Sequence, residues 1–160
     1  MNLKFRLFVA FLIALALTIL PLPELIVGIR PPWVLLLLLY VQYHLPDHFN
    51  VSLLILLGLV LDVLLSTILG EHTFALAIVC WLASSKVRRF RFFSIGQQIG
   101  LIAVFCLLYQ TIIFTIDAYL GFYVNFIDVL GSTVISILLW PWIRLLSEDT
   151  LLRRFHVKRH

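Results

Sequence analysis

The sequence predicts an all-α polytopic membrane protein with about six transmembrane helices, and three observations support this class. Hydrophobic residues make up 62% of the chain, charged residues make up only 12%, and the mean hydropathy is +1.10. A typical soluble domain is about half apolar and about a quarter charged. The apolar residues form runs that proline, glycine or charge separates. Several runs are continuously apolar, which excludes the alternating strands of a membrane β-barrel and leaves helices.

Six apolar runs are candidate helices, at residues 5–20, 33–44, 49–69, 73–85, 95–116 and 126–146. The second and fourth runs are shorter than the roughly 20 residues that cross a bilayer about 30 Å thick. Either their flanks extend them or they cross a thinned membrane, and an alternative is four full spans with two re-entrant segments. We expect one transmembrane domain over residues 1–146 and a basic cytoplasmic tail over residues 147–160.

Lysine and arginine in the short loops predict the orientation. With six spans and a cytoplasmic N-terminus, Arg30 alone lies on the outer side. The basic residues on the inner side are then Lys4, Arg6, Lys86, Arg88, Arg89, Arg91, Arg144, Arg153, Arg154, Lys158 and Arg159. The sequence therefore predicts a multi-pass protein of a bacterial inner (cytoplasmic) membrane with both termini in the cytoplasm. Because the basic residues form short clusters between apolar runs, we expect membrane lipid and not nucleic acid as a partner.

Asp62 is the first candidate for a functional residue. It lies near the middle of the third run, where a charge costs about 2.5–3.5 kcal/mol. Gly58, Asp62 and Ser66 are four residues apart and so share one helix face. One interpretation is a packing seam, in which Gly58 allows close helix approach and the polar side chains hydrogen-bond across the contact. In such a seam Asp62→Asn should retain function. The other interpretation is a proton or solute site.

The last run carries a second polar stripe with the same spacing. Asp128, Ser132 and Ser136 share one face of a predicted helix. They are candidates for helix packing or partner docking, as are the residues of the first stripe. The spacing does not determine whether the two stripes face each other.

Tryptophan and arginine residues near the helix ends are candidate interface anchors. At the inner end, Trp140, Pro141 and Trp142 precede Arg144. This order predicts an aromatic belt, a bend at the proline and a cation that reaches the headgroups. A partner-binding surface is the alternative interpretation.

At the outer end, Arg30 and Trp33 flank two prolines that open the second run. Proline suits a first helical turn and Trp33 suits the membrane interface. Arg30 either meets lipid phosphate or pairs with an acidic residue such as Glu71 or Asp128. Both interpretations remain open at this point.

No pattern in the sequence indicates catalysis, a cofactor or a metal. His44 and His48 are four residues apart, but Pro46 lies between them and breaks the helix. Cys80 and Cys106 lie inside apolar runs and are interpreted as small apolar residues. Because the sequence also lacks a nucleophile elbow and a phosphate-binding glycine loop, we expect a protein that is not an enzyme.

Several motifs, in order along the chain, resemble one known family. The second run opens with Arg30-Pro31-x-Trp33-Val34-Leu35-Leu36, the third and fourth contain Gly58-x-x-x-Asp62, Ser66-Thr67-x-Leu69-Gly70 and Ala75-Leu76, and the last ends in Trp140-Pro141-Trp142-Ile143. This pattern is similar to the MreD family of rod shape-determining proteins over residues 5–146. Pro32 departs from it, since family members often carry Asp or Asn there.

The resemblance implies a non-enzymatic subunit of the bacterial cell-elongation (rod) complex. Members associate with the bitopic protein MreC and, through it, with the glycosyltransferase RodA, the elongation transpeptidase and the actin-like MreB. The fold implied is similar to the substrate-binding subunits of energy-coupling-factor transporters. The alternative function is a small-solute transporter or its binding subunit. That alternative requires a pocket of a few hundred Å³ with converging polar groups, whereas a filled bundle centre favours a scaffold.

Overall fold

The computed structural model describes residues 3–20, 30–90, 92–123 and 125–147, so the predicted tail beyond Ser147 lies outside the described residues. Its helices are α1 (Leu3–Ile19), α2 (Trp33–His44), α3 (Val51–Leu64), α4 (Glu71–Ser84), α5 (Val87–Phe90), α6 (Ile95–Tyr119) and α7 (Phe126–Ser147), with a 3₁₀ turn at Pro46–His48. Within the described residues every regular element is helical. The predicted all-α class is confirmed for this part of the chain.

Helix α2 is the centre of the bundle. Residues 34–43 are buried without interruption, as expected for a helix that is apolar on every side. The helix packs against α1, α4 and α7. Near its C-terminus, Gln42 Nε2 donates to the carbonyl oxygen of Cys80 at 2.8 Å, and the Tyr43 hydroxyl donates to that of Ala83 at 3.3 Å. Because protein surrounds α2, this short helix does not have to match the thickness of a bilayer by itself.

The other helices pack mainly as consecutive pairs, α3 with α4 and α6 with α7, while α4 also contacts α6. A capping box begins α6, because Gln97 N–H donates to Ser94 Oγ and Ser94 N–H donates to Gln97 Oε1. Short connections bring the helix ends together at two opposite ends of the bundle. We call residues 30–33, 65–72 and 117–123 the Asp62 end, and residues 44–50, 85–90 and 140–144 the Trp140 end.

Large apolar side chains cover the outside of the bundle. Phe8 of α1 is 61% exposed, Trp81 of α4 is 73% exposed and Leu138 of α7 is 66% exposed. Soluble monomers rarely expose continuous apolar surface on this scale. Two helices, Ile95–Tyr119 and Phe126–Leu146, are long and apolar enough to cross a membrane, whereas α2, α3 and α4 are shorter. The surface and these two helices fit a membrane protein.

The third predicted helix differs most from the structure. A single helix was expected over residues 49–69, but α3 ends at Leu64 and a turn occupies residues 65–70. Ser66 and Gly70 have positive φ angles of 54° and 102° in this turn. The N–H of Thr67 donates to the backbone oxygen of Asp62 at 3.1 Å. The end of α3 could not be recognised in the sequence, because Leu65, Ile68 and Leu69 extend the apolar run although the helical hydrogen-bond pattern ends.

Candidate functional site

Asp62 is fully buried two residues before the end of α3, not in the middle of a span as the sequence suggested. Its carboxyl group accepts two backbone hydrogen bonds from the start of α4. Gly70 N–H donates to Oδ2 at 2.8 Å, and His72 N–H donates to Oδ1 at 2.8 Å. The first N–H groups of a helix have no partner within the helix, and the helix dipole favours negative charge there. Asp62 therefore caps α4 from a neighbouring helix.

Three side chains complete the surroundings of the Asp62 carboxyl group. His72 Nδ1 lies 2.9 Å from Oδ1, Thr67 Oγ1 donates to Oδ1 at 3.4 Å, and Thr73 Oγ1 donates to Oδ2 at 3.3 Å. Every one of these partners can donate a hydrogen bond, and a carboxylate is an acceptor at both oxygens. We call Asp62, Thr67, Gly70, His72 and Thr73 the Asp62 clasp.

The clasp changes the expectation for Asp62→Asn. An amide has one oxygen and one NH₂ group, and either orientation would turn the NH₂ group toward a backbone N–H of Gly70 or His72. Asparagine is therefore not an equivalent replacement in this geometry. Ser66, the third residue of the predicted stripe, lies in the turn and is exposed, so it does not share a helix face with Asp62.

Gly58 lies one helical turn before Asp62 at the contact between α3 and α4. A Cβ atom at position 58 would lie 2.5 Å from Thr73 Cα and 2.6 Å from Thr73 Oγ1. Only glycine therefore allows this close approach. Since Thr73 also donates to Asp62, the close contact and the clasp belong to one continuous seam.

The stripe on α7 has different partners. Ser132 and Ser136 are buried and Asp128 is half-buried. Ser136 Oγ donates to the carbonyl oxygen of Ser132 at 2.7 Å, and Thr133 Oγ1 donates to that of Val129 at 2.9 Å. Each of these hydroxyl groups donates within its own helix, which packs mainly against α6, and Ser136 also forms a weak hydrogen bond with the Cys106 thiol of α6.

A cavity of about 360 Å³ lies at the Asp62 end, next to the clasp. Thr67 and His72 belong to both the clasp and the cavity lining. The other polar side chains that line it come from five helices or their ends, and are Thr18, Arg30, Glu71, Tyr109, Gln110, Asp117 and Ser132. Trp33, half-buried at the start of α2, also lines this cavity. The cavity has the size and the converging polar groups that the solute-binding alternative requires.

The charged groups of this cavity do not neutralise one another. Glu71 is only 4% exposed, and its Oε1 has no hydrogen-bond partner within the described part of the chain. Its acidic neighbours are Asp117 and Asp62. Among the described residues, Arg30 forms no ion pair within 4.0 Å with Glu71 or Asp128. Of the two interpretations of Arg30, the ion pair is thus not observed.

Tyr109, Gln110 and Asp117 line the cavity but were not among the residues predicted from the sequence. Tyr109, Ile113 and Asp117 are four residues apart, which is the spacing of one helix face. The predicted fifth helix ended at residue 116, so Asp117 was assigned to a loop, whereas α6 continues to Tyr119. A helix that extends past residue 116 places Tyr109, Ile113 and Asp117 on one face.

The Trp140 end contains packed aromatic rings, in contrast to the polar cavity at the Asp62 end. Trp140 is 1% exposed and meets the Phe90 ring edge to face, with centroids 6.1 Å apart. The Phe90 ring in turn stacks on Tyr43 with centroids 3.8 Å apart. Trp140 is thus a core residue and not the interface anchor that the sequence suggested. Trp142 is 67% exposed, so its position is compatible with an interface.

Pro141 and Arg144 follow in the same helix. Helix α7 continues through Pro141 to Ser147. Arg144 Nη1 donates to Gln98 Oε1 at 2.9 Å, and Gln98 Nε2 donates to the carbonyl oxygens of Phe90 and Phe93. Arg144 therefore helps to fix the connection before α6 within the protein.

The fold and these two ends define a class of protein, an α-helical bundle with an apolar surface, a buried acidic clasp and a polar cavity at one end. Comparison with known proteins identifies the family. The family model described as rod shape-determining protein MreD matches residues 1–149. The chain belongs to the MreD family.

A named relative agrees with this assignment. The rod shape-determining protein MreD of Haemophilus influenzae (strain ATCC 51907 / DSM 11121 / KW20 / Rd) is 30% identical over 151 residues, covering 94% of this chain and 91% of the relative. No solved structure matches the chain. The family identifies a rod shape-determining protein, as the sequence motifs suggested.

Proposed function

We propose that this chain is a non-enzymatic membrane subunit of the cell-elongation complex, which holds MreC and, through MreC, the peptidoglycan synthases RodA and its transpeptidase together with MreB. The match to the MreD family over residues 1–149 carries this proposal. An all-helical bundle with an apolar exterior is suited to contacts within the membrane.

The proposed arrangement has six spans with both termini in the cytoplasm and the Asp62 end outside. Lys4, Lys86 and Arg144 all lie toward the Trp140 end, and Arg30 lies at the Asp62 end, which supports this orientation. An impermeant thiol reagent should label Ser66→Cys, in the exposed turn, and should not label Ser94→Cys, which is also exposed, in intact spheroplasts. The reverse labelling pattern would contradict the orientation.

The proposed docking surface for the MreC transmembrane helix is the groove between α3 and α4. This groove has a volume of about 520 Å³, and Phe49, Leu54, Phe74, Ala77 and Trp81 are among its mostly apolar lining residues. Docking within lipid relies on close packing at small residues, and Ala77 supplies one. Gly58 is not available for a partner, because Thr73 already occupies the space beside it.

Disulfide trapping tests the groove. Ala77→Cys should cross-link to single cysteines along the MreC transmembrane helix, and Leu138→Cys, on the exposed face of α7, should not. The native Cys80 and Cys106 are buried, but Cys80 also lines this groove, so the trapping is done in a Cys80→Ser background. Cross-linking through Leu138→Cys instead would move the docking site to α7 and leave the scaffold role intact.

Depletion of the protein tests the scaffold role itself. Because the proposed subunit organises wall synthesis along the cell cylinder, depletion in a rod-shaped host should give round, widening cells before lysis. MreC should co-purify with the chain from membranes in mild detergent. Normal rods that lack uptake of one nutrient would contradict the proposal.

The polar cavity favours a second candidate function, a small-solute transporter or its binding subunit. Its volume of about 360 Å³ and its converging polar lining support this candidate, as would a fold similar to the substrate-binding subunits of energy-coupling-factor transporters. A comparison of solute uptake between depleted and complemented cells tests it. Unchanged uptake of every solute in a broad panel would leave the scaffold as the remaining function.

A further inference from the structure

The cavity at the Asp62 end contains an acidic region that no basic side chain among the described residues neutralises. Glu71 is buried with its Oε1 unpartnered among the described residues, and its carboxyl group shares a side-chain hydrogen bond with Asp117 of α6. Two carboxyl groups in hydrogen-bond contact share a proton, because two negative charges that close would repel strongly where water is scarce. A group that brings several N–H donors and a positive charge would satisfy both carboxyl groups.

The same cavity contains a basic group at a separate place. Arg30 lines the cavity, its Nε atom is buried without a hydrogen-bond partner in the described residues, and it forms no ion pair within 4.0 Å with Glu71 or Asp117 there. Gln110 Nε2 donates to the Arg30 backbone oxygen at 3.5 Å, which links this segment to α6. A guanidinium group with unused donors is suited to bind a carboxylate.

The rest of the lining is apolar and limits the size of the ligand. Trp33, Leu61 and Ile113 contribute apolar surface between the charged groups. A volume of about 360 Å³ is at the lower end of the range for small-molecule sites. Within the described residues, no group of three His, Cys, Asp or Glu side chains could hold a metal ion, so an organic cation fits better than a bare metal.

We propose that this cavity binds a small zwitterion of amino-acid size, with its ammonium group at Glu71 and Asp117, its carboxylate at Arg30 and its apolar part against Trp33 and Ile113. This site does not depend on the scaffold role. Thr67 and His72 belong to both the lining and the Asp62 clasp, so bound ligand would lie directly against the turn that joins α3 to α4.

Equilibrium binding to the purified full chain in lipid nanodiscs tests the proposal, with radiolabelled L-leucine and D-leucine as probes. At least one enantiomer should bind saturably in the millimolar range or tighter. Leucine methyl ester lacks the carboxylate and N-acetyl-leucine lacks the ammonium group, so each should compete roughly tenfold or more weakly than leucine. Equal competition by all three compounds, or no saturable binding of either probe, would overturn the zwitterion assignment.

Three variants locate the binding. Glu71→Gln should weaken leucine binding roughly tenfold or more because it removes the charge at nearly constant shape. Asp47→Asn is the matched control, since Asp47 is an exposed carboxylate at the opposite end, and its binding should be unchanged. Ile113→Trp should abolish leucine binding by filling the cavity without altering a charge. This variant tests the site even if Glu71→Gln does not fold.

The rate at which a thiol reagent modifies a cysteine in the cavity distinguishes a small bound ligand from a bound protein segment. Leucine should slow the modification of Thr67→Cys by a small thiol reagent in the absence of any other protein. Protection that appears only when MreC is added, together with no effect of leucine, would show that a partner segment fills the cavity and that the small-ligand proposal is wrong.

Discussion

The polar side chains of α3 and α7 form different kinds of hydrogen bond although both helices are largely apolar. Asp62 of α3 accepts hydrogen bonds from the turn and from the first residues of α4. Ser136 of α7 donates to the carbonyl oxygen of Ser132 in its own helix at 2.7 Å. The first set joins two helices, whereas the second lies within α7 and is accompanied only by a weak hydrogen bond to the Cys106 thiol of α6.

The chemistry of the side chains explains this difference. A serine hydroxyl can donate to the carbonyl oxygen one turn earlier, so a helix can satisfy it without help. A carboxylate only accepts, and the N–H groups in the interior of its own helix are already engaged. Asp62 therefore needs donors from elsewhere, and the free N–H groups at the start of α4 supply them. Residue type, more than spacing, determines whether a buried polar group connects helices.

The largest expected effect follows from removing the Asp62 carboxyl group. Asp62→Leu leaves the buried N–H group of His72 and the partly buried N–H group of Gly70 without their partner, at about 1–3 kcal/mol each. We expect a loss of about 2–6 kcal/mol in the free energy of unfolding, measured by denaturant titration in detergent micelles. Asp62→Asn should lose about half as much, because its oxygen keeps one of the two N–H partners.

The two variants at position 62 also test whether the clasp is required for shape maintenance. In depleted rod-shaped cells, Asp62→Asn should restore the shape partially and Asp62→Leu should not restore it, at matched membrane levels. If Asp62→Asn were as stable as the natural chain, the two backbone hydrogen bonds would not hold the turn, and the clasp would be misassigned.

The position of the clasp shows how far the sequence could predict the site. The burial of Asp62 and the close approach at Gly58 follow from an apolar run that contains one carboxylate and one glycine. The hydrogen-bond partners of Asp62 did not follow, because Leu65, Ile68 and Leu69 after the end of α3 extend the apolar run and hide the turn. The turn at residues 65–70, with positive φ angles at Ser66 and Gly70, brings His72 to Asp62.

The cavity and the Trp140 end were less predictable for another reason. Both depend on which helices become neighbours, and apolar runs of similar composition do not encode that pairing. Trp140 was expected at an interface because it stands beside Trp142 near the end of a span. On a helix, residues two positions apart point in different directions, so one faces Phe90 in the core and the other faces outward.

A smaller effect is expected from filling the close contact between α3 and α4. Gly58→Ala places a Cβ atom 2.5 Å from Thr73 Cα, and overpacking of this kind costs about 1–3 kcal/mol. Gly100→Ala is the matched control, since no atom lies within 4 Å of the added Cβ. There alanine should instead stabilise α6 by up to about 1 kcal/mol through its higher helix propensity.

The same unfolding titration should show a lower free energy of unfolding for Gly58→Ala and a higher one for Gly100→Ala. Opposite signs would distinguish the effect of packing from that of helix propensity. Equal stabilisation at both positions would mean that α3 and α4 are farther apart at Thr73 than the structure has them. Because Thr73 also donates to Asp62 at 3.3 Å, Gly58→Ala combined with Asp62→Leu should cost less than the sum of the two separate losses.

The smallest effect is expected on α7, from Ser136→Ala. Its hydroxyl bonds mainly to the Ser132 carbonyl oxygen, which already belongs to a helix, and to the weakly bonding Cys106 thiol. Alanine is almost as large as serine and has the higher helix propensity, by a few tenths of a kcal/mol. The loss of the hydroxyl hydrogen bonds and the gain in helix propensity should cancel to within about 0.5 kcal/mol in the free energy of unfolding. The variant should restore rod shape fully. A loss that approached that of Asp62→Leu, or normal stability with round cells, would mean that this stripe also connects helices or contacts a partner. In that case spacing would be a better guide to function than the donor and acceptor chemistry of each residue.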